Sequence, residues 1–176
     1  MNNLTMSLSE LRALIRNILI SHNTSDVNAA QVADALTLAE ADGQKGHGAS
    51  RIPSYAAQSL AGKVDGHAEP MVEQVSEAAF RVDACSGFAY PALNAAIEAL
   101  GQLTPRSGIA AAAITNSHHS GVAGHQVEAL ANKGLVALSF GNGPVAIAPW
   151  GGKKGVFGTN PLAFAAPQTN KPPLVI

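Results

Sequence analysis

Two stretches of this sequence gather side chains able to move protons and hold small anions. In GHGASR, residues 46 to 51, His47 sits between two glycines and Arg51 follows four residues on. An imidazole titrates near neutral pH, so His47 can give a proton to a developing alkoxide or take one from an alcohol. A guanidinium presents paired N–H donors that match a carboxylate, so Arg51 can orient a small acid. Together they suit reduction of a small 2-oxo acid, with Arg51 on the carboxylate and His47 at the reacting oxygen. The plainer reading is a loop histidine beside a solvated arginine.

The second stretch is TNSHHSGVAGH, residues 115 to 125, which follows the apolar run IAAAAIT. In α/β proteins ligands bind beyond the carboxyl ends of strands, where loops lead into helix N-termini. A helix starting near Gly121 offers free amides to a phosphate, and the small residues Ser120, Gly121, Ala123 and Gly124 let a ligand come close to the backbone. The alternative is a capped helix start with solvated histidines. His118, His119 and His125 also raise the question of a metal. Adjacent histidines diverge, and only Glu128 is at hand to complete a set, so no metal site is expected. A third stretch, residues 141 to 167, is dense in glycine and proline. It has no GxxxxGK[ST], and no GxGxxG follows a strand anywhere in the chain, so the usual phosphate-binding fingerprints are missing. Within it, Thr159 and Asn160 could donate to a ligand carboxylate or form an ordinary turn.

Elements must hold these residues in place. Ser7 and Glu10 read as a capping box for a helix whose apolar stripe is Leu11, Leu14, Ile15 and Ile18. A second helix is predicted from Ser25-Asp26, with Ala29, Val32, Leu36 and Ala39 on one face and Gly43 as its left-handed stop. Ser50 is expected to cap a short third helix that accepts Pro53 in its first turn and ends at Gly62. AFRVDA (79 to 84) reads as a strand and residues 88 to 100 as a helix. The runs at 109 to 115 and 135 to 140 read as strands buried on both faces, joined by a helix over 122 to 134 in a βαβ-like unit. A composition change near residue 62 divides a helical N-terminal lobe, 1 to 62, from an α/β portion, 63 to 176. PPLVI at the end opens a strand, from which an incomplete domain is expected.

Composition narrows the function class. Of the 176 residues, 47% are hydrophobic and 13% charged, against about a quarter charged in soluble domains, so part of the surface is expected to be covered. The net charge of −1 gives no reason to expect nucleic acid or an anionic membrane as partner. No apolar run approaches the roughly 20 residues of a membrane span, and the N-terminus lacks the marks of a secretory signal. Cys85 is the lone cysteine, so a cytoplasmic protein without disulfides is expected.

Taken in order, GHGASR (46 to 51), NSHHSGVAGH (116 to 125) and the run from SFGNGPVAIAPWGG through FGTNPLAFAAP (139 to 167) resemble the malate/L-lactate dehydrogenase family of NAD(P)-dependent oxidoreductases. The last segment is the most specific, and the matches spread over nearly the whole chain. The resemblance implies an α/β fold that is not the Rossmann type, with the helical lobe beside a mixed α/β cofactor-binding portion. It implies NAD or NADP as cofactor, a small carboxylate as substrate, and a homodimer or a second chain carrying a C-terminal half. By position, it implies His47 as proton donor, with Arg51 on the substrate carboxylate and Thr159 as a substrate contact. It puts His119, Ser120, Gly121, Val122, Ala123 and Asn142 on the dinucleotide. In some relatives a histidine at the place of His119 is the catalytic base, so His47 and His119 both stand as catalytic candidates. Relatives acting on cyclic imino acids often carry serine just before His47, where this chain has Gly46, which tilts the reading toward oxo acids. Reduction of pyrroline- or piperideine-2-carboxylate is the alternative, and a non-catalytic binding module another. Family chains continue well beyond residue 176, so this stretch alone is expected to be inactive.

Overall fold

The computed structural model describes residues 5–176; the first four residues of the expected N-terminal lobe lie outside them. Two compact units follow one another, dividing between Val122 and Ala123. The composition change near residue 62 falls inside the first unit, at the step from helix to strand.

In the first unit, Ser7 is extended and its hydroxyl accepts from the Glu10 amide at 3.2 Å, while the Glu10 carboxylate accepts from the Ser7 amide at 2.7 Å. Those Ser7 donors hold the Glu10 carboxyl below its ordinary value. This reciprocal cap starts α1, Leu8–Ser21. Its buried side chains are Ile15 and Leu19, while Leu14 is 42% exposed, so the inward stripe is narrower than expected. Helix α2, Asp26–Ala41, buries Ala29, Val32, Ala33, Leu36 and Ala39. Ala29 and Ala33 are small enough for α1 and α2 to pack closely, and the buried Asn28 side chain instead donates to the Gly66 and Ala68 carbonyls. At its end Gly43 takes φ +72°, with its amide bonded to the Glu40 carbonyl and the Gln44 amide to the Ala39 carbonyl. That paired closure is a Schellman turn, which explains the glycine.

Two single-turn segments, Lys45–His47 and Ala49–Arg51, then lead into α3, Ile52–Leu60, with Pro53 in its first turn. Ser50 does not cap this helix. Its hydroxyl donates to the Lys45 carbonyl at 2.6 Å, because Arg51 occupies the cap position in helical geometry and leaves no gap for a side-chain oxygen. Gly62, at φ +71°, closes α3 with a second Schellman turn.

The sheet of this unit runs β1-β2-β3, with β1 (Met71–Ser76) antiparallel to β2 (Ala79–Asp83) and β3 (Ala111–Thr115) parallel to β2. Helix α4, Ala89–Ser107, makes the crossover from β2 to β3, two turns longer than its apolar pattern suggests. Val82, Ala84, Ala92 and Ala96 form the core beneath it. The parallel crossover is therefore β2-α4-β3. The expected unit across residues 108 to 140 does not form, since its two strands belong to separate sheets. Nor is β3 buried on both faces: Ala111 and Ala113 are exposed.

The second unit contains α5 (Ala123–Ala131), β4 (Ala137–Phe140), β5 (Leu162–Gln168) and β6 (Lys171–Val175), in an antiparallel sheet ordered β4-β5-β6. Strand β5 begins inside the glycine- and proline-dense stretch 141 to 167, for which no strand is expected. Helix α5 lies on β4 and β5, and the buried residues there are Val127, Leu130 and Ala131 with Ala137, Ala163 and Ala165. The opposite face leaves Leu138, Phe140 and Leu162 exposed, so β4 too is covered on one side only. Among the described residues no helix is long and apolar enough to cross a membrane.

Candidate active site

The first unit brings His47 and His119 together from positions 72 residues apart. Their rings lie parallel, 1° apart in plane with centroids at 5.3 Å. Each ring arrives on its own scaffold. His47 rides the segment after α2, and Glu40 in the last turn of α2 holds that segment by accepting the Ala49 amide at 2.7 Å. Gly48 is buried against the same carboxylate: a β-carbon there would overlap the Glu40 side chain. This close approach is the reason for glycine after His47. Gly46, by contrast, faces open space, and its carbonyl accepts from Arg51 Nε at 2.6 Å. Arg51 is thereby fastened to the His47 loop, and among the described residues its guanidinium makes no salt bridge.

His119 follows β3. The turn before it is built on Asp83, whose carboxylate accepts from the Cys85 amide and the Asn116 side-chain amide, at 2.8 and 2.9 Å. Cys85, Ser86 and Asn116 all adopt positive φ there. The His118 amide bonds to the Gly87 carbonyl at 3.1 Å, and the His118 ring packs edge-on against Tyr55 and Phe88. Burial, with Lys63 and Arg51 as nearby cations, lowers the His118 pKa.

A polar chain ends on His119. Tyr55, from α3, places its hydroxyl 2.7 Å from His119 Nδ1, and Tyr90, from the first turn of α4, lies 3.3 Å from the Tyr55 hydroxyl. Both tyrosine bodies belong to the main core, and burial raises both pKa values. Burial, then the Arg51 and His47 charges, push the His119 pKa down to about 4, so the ring is neutral at physiological pH. Gly121, at φ +70°, lies against Tyr90: a β-carbon there would sit 2.6 Å from the Tyr90 hydroxyl. Its glycine character answers to that packing and to its backbone angle, and the helix expected from Gly121 begins only at Ala123. Tyr55 and Tyr90 were not legible as site residues, because their spacing within apolar helices reads as core.

Among the described residues no three His, Cys, Asp or Glu side chains gather as metal ligands would. In the second unit, Asn142 is exposed beside Gly143, and Thr159 packs against Gly143. The Asn160 side-chain oxygen accepts from the Gly143 amide at 2.9 Å, so Asn160 acts as a turn former.

The first unit thus holds a parallel pair of imidazoles, one of them neutral and tied to a tyrosine, with an arginine that has no carboxylate partner among the described residues. The chain belongs to the malate/L-lactate dehydrogenase family, whose model matches residues 6–176. It is 51% identical over 144 residues to (2R)-3-sulfolactate dehydrogenase (NADP(+)) of Chromohalobacter salexigens, covering 82% of this chain and 43% of that protein. It is 43% identical to the Δ1-pyrroline-2-carboxylate/Δ1-piperideine-2-carboxylate reductase of Pseudomonas syringae pv. tomato, over 97% of this chain and 50% of that one. The crystal structure of the piperideine-2-carboxylate reductase from the same organism superposes with a TM-score of 0.91, covering 98% of this chain and 52% of its own. Malate dehydrogenase of Pyrococcus horikoshii also gives 0.91, at 26% identity over 98% and 49%. The chain thus spans about half the length of the relatives it matches.

Proposed function

We propose that this chain serves an NAD(P)-dependent oxidoreductase that interconverts a small 2-oxo acid and its 2-hydroxy acid. The observation that carries this reading is the parallel His47–His119 pair with Arg51 fastened to the same loop. NAD(P)H, when bound, supplies the hydride to C2. The half-buried His119 ring, stacked on His47 and bonded to the Tyr55 hydroxyl, offers a flat partner for the uncharged dihydronicotinamide ring. Arg51 and His47 are the charged neighbours on the substrate's side. His119, Ser120, Gly121, Val122, Ala123 and Asn142 are the residues the family pattern assigns to the dinucleotide. Arg51 holds the substrate carboxylate through its terminal nitrogens, its Nε being engaged by Gly46. Thr159 is assigned a substrate contact on the family pattern alone.

As the C2 carbon gains the hydride, the carbonyl oxygen gains negative charge and takes a proton. His119, held neutral by burial and by its cationic neighbours, is a poor base and carries no ionisable proton near pH 7. The proton therefore comes from His47, and His119 supports the reaction as a hydrogen-bonding group. The 51% identity to a sulfolactate dehydrogenase supports the hydroxy-acid reading. The 43% identity to cyclic imino acid reductases supports a second one, in which the ring nitrogen of pyrroline- or piperideine-2-carboxylate takes the proton instead.

The deciding assay follows oxidation of NADH and NADPH by the full-length protein with 3-sulfopyruvate, oxaloacetate, pyruvate, diketogulonate and the two cyclic imino acids. Turnover of an oxo acid above the imino acids is expected. Preference for the imino acids installs the second reading, and no turnover with any of them overturns both.

A further inference from the structure

The directions of the hydrogen bonds around His119 go beyond its place in the site, although their use rests on the function just proposed. An amide nitrogen can only donate, and the Gly121 amide points at His119 Nδ1 at 3.4 Å. A proton on Nδ1 would face that amide proton, so Nδ1 is the acceptor. The Tyr55 hydroxyl, 2.7 Å from the same nitrogen, must then donate to it. With its own proton committed, Tyr55 can only accept from Tyr90, which lies 3.3 Å away and has no other route for its buried proton among the bonds it makes. In the reverse order two donor hydrogens oppose each other at Nδ1 and the Tyr90 proton loses its acceptor.

We propose that Tyr55 and Tyr90 are positioning residues that fix the tautomer of His119, keeping its single ring proton on Nε2. The neutral ring then presents an N–H edge, and His119 acts as a hydrogen-bond donor to the reacting substrate atom while a base role is closed to it. Gly121 belongs to the same device. It supplies the second donor to Nδ1, and its lack of a β-carbon lets Tyr90 stand where it does.

The test is nitrogen NMR of full-length protein labelled in histidine, with the His119 signals assigned by their loss in His119→Gln. The wild type is expected to show an unprotonated Nδ1 and a protonated Nε2 at neutral pH. Tyr55→Phe shifts His119 toward a mixture of tautomers, and Tyr90→Phe gives a smaller shift in the same direction. A protonated Nδ1 in the wild type, or a His119 signal unmoved by both variants, overturns the proposal. Should Tyr55→Phe fail to fold, the wild-type tautomer and Tyr90→Phe still decide. The readout needs no turnover: a fixed Nε2–H tautomer in a protein whose His119→Gln variant keeps full kcat leaves the positioning intact and removes the functional reading.

Discussion

The two units distribute polar and apolar side chains in opposite ways. In the first, the chemistry is packed inward: tyrosine bodies sit in the core and their hydroxyls run to a histidine held neutral by burial. In the second, one sheet face is closed by α5 over alanines, while Leu138, Phe140, Leu162 and the fully exposed Trp150 point outward. The lesson is that sequence hydrophobicity alone does not tell core from surface here. What separates the two is residue size against a facing element: the strand residues buried under α5 are the small Ala137, Ala163 and Ala165, and Val127 and Leu130 of the helix fill the space above them.

The sharpest way to break the contrast is at the inward-packed site. His47→Ala should lower kcat of the full-length enzyme by about 10²- to 10⁴-fold with cofactor affinity nearly unchanged. A variant that keeps its kcat would leave the first unit a scaffold only. Gly48→Ala should cost about 1 to 3 kcal/mol in a urea titration, since the new methyl meets the Glu40 side chain. Glu40→Ala should absorb part of that cost, and strictly additive losses would mean that Glu40 does not set the loop.

The second unit offers the same test on two faces of one sheet. Ala165→Leu, on the face under α5, should cost about 1 to 3 kcal/mol by overpacking, whereas Leu138→Gln on the open face should stay within about 0.5 kcal/mol. Equal effects would erase the distinction between the faces.

A smaller effect comes from protons. The His119 pKa lies at about 4 in the folded chain against 6.5 for an unperturbed histidine, so the unfolded chain binds more protons between those values. The associated stability is fully present above about pH 6.5 and is lost as pH falls toward about 4. His118, lowered for the same reason, adds in the same direction. Urea midpoints at about pH 7 and about pH 5 should therefore separate more for wild type than for His119→Gln. The smallest effect is optical: Trp150, the one tryptophan, is 105% exposed, and in the 176-residue chain its emission should be quenched by iodide as freely as that of a free indole.

Much of this architecture was legible in the residues. The Ser7–Glu10 cap, the α2 stripe and the stops at Gly43 and Gly62 all rest on neighbours within a few positions, and they formed as expected. Strand β1 was not legible, because MVEQVS is exposed along its whole length and carries no buried alternation. Strand β5 was hidden by the glycines and prolines that precede it. The tyrosine chain was out of reach for another reason: Tyr55 and Tyr90 are 35 residues apart, and Tyr55 and His119 are 64 apart. Only the packed fold decides that their hydroxyls meet. Gly48 shows the same limit, since its meaning lies in a side chain from the preceding helix.

The end of α2 carries one more consequence. The amides of Gly43 and Gln44 close on the carbonyls of Glu40 and Ala39, and the Ala49 amide closes on the Glu40 carboxylate. All three protons hang on a single helical turn. They should exchange with deuterated solvent at one shared rate, as a single cooperative opening. Each fraying event of that turn would also release the segment bearing His47, so the lifetime of the last turn of α2 bounds the time for which the imidazole pair stays assembled.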